Sequence, residues 1–402
     1  MQPRNWRSLQ MKYNFETAHS RNGVGAVKWE MMKQANPEVP DSIVPFSVAD
    51  MELNNAPEIV EGLKQYLDEM ILGYTEPTDA YFEAVQNWME RRHGFRPDRE
   101  WFILTPGIVP AISQLIAALT APTDSVLINT PVYYPFRAQI EKNGRGVVEN
   151  ELLIVDGHYE IDFADFEEKA ARPDVTMFIL CTPHNPIGRV WTSEELHRLA
   201  DICLKHHVLM VADEIHSDLI MPGHTHVSLG TFEQKYLNNT IICTAPSKTF
   251  NLAGLQTSNL FVPNADIREK LESAGGYSSL NIFGYKACEL AYSKCEDWLE
   301  QLLVHLDGNR QFVEDFLAEK LPMIHAFPLE GTYLQWLDFR ALGMDEKELE
   351  DFMVHKALWF TDEGYVFGEG GKGFERINLA CTRQVLQDAL DRLYAAIQER
   401  NA

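Results

Sequence analysis

Residues 240–255 read TIICTAPSKTFNLAGL and place Lys248 directly after an apolar run, TIICTAP, with the make-up of a buried strand. Lysine is among the side chains least often buried, and no acidic residue stands nearby in sequence to pair with it. Five more runs of this kind lie on either side: WFILTPG at 101–107, SVLINTP at 125–131, VTMFILCTP at 175–183, HVLMVADE at 207–214 and NLFVP at 259–263. Near-continuous Val, Ile, Leu and Met over such short lengths marks strands covered on both faces of a parallel sheet. Helix-like segments separate them. One is SEELHRLADICLKHH at 193–207, expected to be opened by Ser193 with an acidic first turn. The alternation predicts an α/β chain with a doubly wound sheet over about 46–285.

Beyond 285 the pattern changes. Residues 284–321 read as one or two long helices, followed by strand-like pieces at GTYLQWLDF and RINLACT. A smaller α+β domain is expected there, formed by 286–402 together with 1–45.

Composition narrows the function. The formal charge of −24 argues against nucleic acid, which calls for a basic patch. The six cysteines show no paired metal spacing, and Cys181 and Cys243 sit inside apolar runs, as reduced core thiols do. The opening residues lack the apolar core of a secretion signal, and no stretch has the length of a membrane span. A cytoplasmic protein is expected.

Ligands of open parallel sheets bind beyond the carboxyl ends of the strands. Tyr133 follows the run at 125–131, Asn185 follows that at 175–183, Asp213 ends that at 207–214, and Lys248 follows that at 240–246. Singly, each has an ordinary explanation: a turn aromatic, a turn asparagine, a helix cap, a solvated lysine. Together they form a chemical set. A lysine held against apolar walls becomes a nucleophilic amine, able to form a Schiff base. A pyridine aldehyde needs an aspartate on its ring nitrogen, an aromatic face and a donor for its phenolic oxygen. Pyridoxal 5'-phosphate is the cofactor that uses all four groups. Its phosphate has a candidate cradle in the backbone N–H groups of Gly107, Ile108 and Val109, where LTPGIVPAISQLIAAL opens a helix. Ser247 adds a hydroxyl.

The ordered set PVYYPF, TPHNPIGRVW, VADEIHSDL and APSKTFNLAGL resembles the fold-type I pyridoxal-phosphate enzymes of the aspartate aminotransferase superfamily. Within it, Lys28–Trp29, VADME at 48–52, GYTEP at 73–77, EGTYLQWLDF and FERINLACTR are most similar to the cystathionine β-lyase / cysteine-S-conjugate β-lyase branch, of MalY/PatB type. The resemblance implies a PLP-dependent transferase-like fold, a C–S β-lyase and a homodimer with shared sites. It implies that Lys248 holds the cofactor and moves the Cα proton. Asp213 would pair with the ring nitrogen, Tyr133 stack on the ring and Asn185 contact the phenolic oxygen. Arg376 would bind the substrate carboxylate beside Tyr133 and Asn185, and Tyr74 would reach the partner's phosphate. Four positions depart from the pattern: His216 where tyrosine is common, Gln256 where a phosphate-binding arginine is common, Ser47 for tryptophan and Thr382 for proline.

Two other patterns are set aside. GEGGKG at 368–373 satisfies a dinucleotide fingerprint, but the following FERINL reads as a strand rather than the helix that chemistry needs. His216, Asp218, His224 and His226 lack metal-ligand spacing. The same cofactor set would also serve a class I/II aminotransferase, which transfers an amino group to a 2-oxo acid, or a regulatory protein that keeps the cofactor without turnover.

Overall fold

The computed structural model describes residues 12–275 and 280–401; residues 1–11, part of the expected smaller domain, lie outside them. Each of the six apolar runs named above contains or overlaps a strand: β1 Phe102–Thr105, β2 Ser125–Thr130, β6 Val175–Cys181, β7 Leu209–Asp213, β8 Thr240–Thr244 and β9 Ser258–Phe261; three further strands, β3 Gly146–Glu151 and the hairpin β4 Leu153–Val155 and β5 His158–Glu160, had no such run to announce them. Their order in the main sheet is β1-β9-β8-β7-β6-β2-β3. β2, β8 and β6 from Met177 onward are buried without a break, because helices cover both faces.

One strand departs from the parallel expectation. β9 runs antiparallel to both β8 and β1. A tight return from β8 needs no crossover helix, so β9 comes back along the strand just left. An apolar run looks the same in either direction, which is why its sense was not legible. The cap of the helix Ser193–Lys205 also differs from expectation: Thr192, not Ser193, accepts the Glu195 amide, and Glu195 returns the bond as a capping box.

The chain after the main sheet forms two helices, Ile282–Lys294 and Glu296–Lys320, then β10 His325–Ala326, β11 Leu334–Asp338, β12 Asp362–Glu363 and β13 Phe374–Asn378. These four strands make an antiparallel sheet in the order β10-β11-β13-β12. Its centre is aromatic: Trp336 stacks on Phe374 with centroids 5.1 Å apart. The early chain joins this sheet's surroundings, since the Phe46 amide donates to Phe360 and the Asn378 amide donates to Phe46. Trp29, Met32 and Ile43 pack with Val354 and Phe360 in a core of their own. All six cysteines are buried and unpaired. Among the described residues, no helix is long and apolar enough to cross a membrane.

Candidate active site

Register brings the strand ends together. Cys181 at the end of β6 lies opposite Asp213 at the end of β7, which lies opposite Cys243 in β8. The loops leaving β1, β2, β6, β7 and β8 therefore open on one edge. β9, being reversed, begins at that edge and adds Gln256, Thr257 and Ser258. A cavity of about 180 Å³ sits there, walled by Gly107, Ile108, Val109, Tyr133, Asn185, Asp213, His216, Ser247 and Lys248 among others. A larger depression of about 490 Å³ lies elsewhere, among exposed charged residues such as Glu346, Asp351 and Lys372. It holds none of the candidate cofactor- or substrate-binding residues.

Lys248 stands in a single helical turn, Pro246–Thr249, just past β8. Its Nζ donates to the Ala49 carbonyl at 2.7 Å, and among the described residues it has no ion pair. Burial, reinforced by the Arg376 charge, lowers its amine to about 8. The turn is anchored by its neighbour: Thr249 donates to Asp218 at 2.9 Å, and Asp218 also accepts from His93 and Trp88. His226 faces Glu214 at 3.2 Å. Those bonds account for two members of the histidine-aspartate pattern set aside above.

Asp213 is the mirror case. Its carboxylate accepts the Ile215 amide at 3.1 Å, so it closes a turn rather than capping a helix. Burial pushes its pKa up to about 7 despite that bond and the Lys248 charge. His216 is also buried, with Nδ1 lacking a hydrogen-bond partner, and desolvation holds it neutral, far below its usual range.

The loops after β2 and β6 are stitched to each other. The Tyr133 amide donates to the Asn185 carbonyl at 3.0 Å, and His184 contacts the Pro131 carbonyl at 2.9 Å. Burial raises the Tyr133 phenol well above its ordinary value, so it stays protonated. Arg376, on β13, crosses from the small sheet and donates from Nη1 to Asn185 Oδ1 at 2.7 Å. A guanidinium can only donate, which fixes the orientation of the Asn185 amide and leaves its Nδ2 as a donor. Gly107 enters the helix Ile108–Leu119 at φ 149°, a backbone that L side chains rarely adopt. Gly107, Ile108 and Val109, at the start of that helix, line the cavity.

Tyr74 is the exception to this convergence. Its side chain is 107% exposed and takes no part in the cavity of its own chain. Conversely, several residues at the site carried no role in the sequence. A strap at 47–52 lies over Lys248: Ala49 accepts from both Lys248 and Tyr333 (2.9 Å), and Val48 is held at φ 56°. A β-branched residue there is strained by roughly 1–3 kcal/mol. Asp362 accepts its amide at 3.0 Å and Asn378 donates to its carbonyl at 2.9 Å. Lys28 and Arg21 fix the far end of the strap through Asp50 and Glu52, with N–O distances of 2.9–3.2 Å. The Lys28–Trp29 and VADME motifs carried that signal, without showing that they meet.

Residues 41–393 match the family model for aminotransferase class I and II. The chain is 41% identical over 387 residues to the cystathionine β-lyase PatB of Bacillus subtilis, covering 96% of this chain and all of PatB. It superimposes on cystalysin from Treponema denticola, whose crystal structure contains pyridoxal 5'-phosphate, with a TM-score of 0.95 and 47% identity over 97% of this chain and all of that one. A putative aminotransferase from Clostridium difficile, solved with the same cofactor bound, gives 0.92 and 41% over 96% and 100%. The main sheet with its smaller antiparallel companion is thus the PLP-dependent transferase-like fold expected from the motifs, and the chain belongs to the aminotransferase class I and II family.

Proposed function

We propose that the protein is a pyridoxal-phosphate-dependent C–S β-lyase that takes cystathionine or related cysteine S-conjugates to a thiol, pyruvate and ammonia. One observation carries the reading: a buried amine, Lys248, shares a cavity with a buried carboxyl group, Asp213, and among the described residues neither has an ion pair. Both would be costly in an empty site, and both suit a bound pyridine aldehyde. Pyridoxal phosphate supplies an aldehyde for the substrate amine and a cationic ring that draws electrons from Cα.

The chain's own groups do the rest. Asp213 holds the proton of the ring nitrogen, a task its raised pKa favours because burial makes it a stronger base. Lys248 is lowered to about 8, so roughly a tenth of the amine is neutral at pH 7 and ready to take the Cα proton. Arg376 and Asn185 orient the carboxylate, Tyr133 covers the ring face, and the amides of Gly107, Ile108 and Val109 with the Ser247 hydroxyl take the phosphate. His216 adds a neutral ring at the cavity wall. Breaking the Cα–H and Cβ–S bonds lets the thiol leave, and water then releases ammonia from the three-carbon remainder as pyruvate.

The assembly proposed is a homodimer in which Tyr74 completes the partner's phosphate site. Supporting this, Tyr74 lies in an exposed apolar stretch with Leu67, Met70, Ile71 and Leu72. The two sheets support a division into a large domain over 46–285 and a smaller one from 1–45 with 286–402. Six buried free thiols suit a cytoplasmic setting. An aminotransferase is the second reading, favoured by the family model itself.

Purified protein loaded with pyridoxal phosphate and given cystathionine should release pyruvate, and Lys248→Ala should lose the visible absorption band of the bound cofactor. Consumption of a 2-oxo acid without pyruvate makes it a transaminase. A band with no product from any thiol-leaving amino acid makes it a regulatory binder.

A further inference from the structure

Arg376 does not enter the site with a free guanidinium. β12 pairs antiparallel with β13 so that Asp362 stands directly opposite Arg376, and Arg376 Nη2 donates to Asp362 Oδ2 at 2.5 Å. Nη1 is taken by Asn185, and Nε is buried with no hydrogen-bond partner among the described residues. Both groups are shielded from water, the arginine side chain 2% exposed and the aspartate 10%. The charge of Asp362 is therefore screened less than a surface charge would be from anything that binds Arg376.

We propose that Asp362 is a specificity-determining residue, a resident carboxylate that competes with the substrate carboxylate for Arg376 and sets how tightly amino-acid substrates are held. The inference rests on Arg376 being the carboxylate-binding residue. A carboxylate arriving at Arg376 meets a guanidinium already half satisfied and a like charge beside it. Ground-state affinity is thereby weakened, and that weakening falls equally on substrate and transition state, so it raises KM without lowering kcat. A merely structural role would show itself differently, in stability and kcat.

The geometry supplies a clean test. A single oxygen, Oδ2, accepts both the Val48 amide and Arg376 Nη2. Asp362→Asn can keep both bonds through its one carbonyl oxygen while removing the charge. In cofactor-loaded protein, calorimetric titration with 3-(methylthio)propanoate, a thioether carboxylate with no amino group to react, should show binding about tenfold tighter in Asp362→Asn, roughly 1.4 kcal/mol. KM for cystathionine should fall by a similar factor, with kcat changed less than about twofold. Asp362→Ser, which keeps an oxygen acceptor in a smaller side chain, is measured in parallel and should tighten binding in the same direction. Equal or weaker binding in the folded variants overturns the role of Asp362, provided Arg376→Lys weakens the analogue. If Arg376→Lys leaves its affinity unchanged, the assignment of Arg376 is what fails.

Discussion

Lys28 and Lys248 are both withdrawn from bulk water, and both have a backbone carbonyl of the same strap as partner, Asp50 for one and Ala49 for the other. They differ in what else surrounds them. Lys28 has carboxylates at 2.9 and 3.2 Å, so its charge is matched and its place is fixed. Lys248 has no carboxylate in ion-pair reach among the described residues, and its amine is lowered to about 8. Burial alone does not make a lysine reactive; burial without a counter-ion does. The strap lets one lysine hold the backbone against which the other is aimed.

That contrast can be broken by exchanging what each lysine does. The largest expected effect is on chemistry: Lys248→Ala should lower turnover by about 10²- to 10⁴-fold, the scale of a lost acid-base group, while its thermal unfolding stays near that of the parent. A comparable loss of stability instead would make Lys248 structural. Next comes Lys28→Met, which strips a buried cation from Asp50 and Glu52. Unfolding in urea should show about 3 kcal/mol of destabilisation, with the cofactor band of the folded fraction retained. If it folds normally and loses the band, the two lysines are not as distinct as drawn here.

Taken per pH unit, the smallest effect sharpens the comparison through pH. In cofactor-free protein, Asp213 titrates near 7 instead of 3.8. Between those values the folded chain holds a proton the unfolded chain has lost, so stability falls as pH rises from about 4 to 7. Lys248 titrates near 8 instead of 10.5; there the unfolded chain holds the extra proton, and stability rises from about pH 8 to 10.5. Each limb is at most about 1.4 kcal/mol per pH unit. Asp213→Asn should flatten the first limb and Lys248→Met the second, read as urea midpoints across the range.

Much of the site was legible because a parallel sheet turns sequence order into position. Once the apolar runs are strands, the residue just past each one must lie at a common edge, and Tyr133, Asn185, Asp213 and Lys248 do so. The partners of these residues were not legible. Asp362 lies in a strand of two residues, too short to leave a periodic trace, and it meets Val48 across 314 positions of chain. The strap's conformation depends on Asn378, Asp362 and Lys28 acting from three separate segments. Tyr74 was read from resemblance, and its own chain gives it no contact with the cavity. Pairings of this kind depend on register and docking, which local pattern does not encode.

The reversal of β9 has a practical consequence. Because β8 ends at the site edge and β9 begins there, fifteen consecutive residues, 244–258, carry Lys248, the Ser247 hydroxyl beside it and Gln256 in the cavity wall. Such a segment is a cassette whose two ends are clamped in neighbouring strands. It can be exchanged as one piece between related scaffolds without disturbing a crossover helix, which makes it the natural unit for re-engineering the grip on the cofactor.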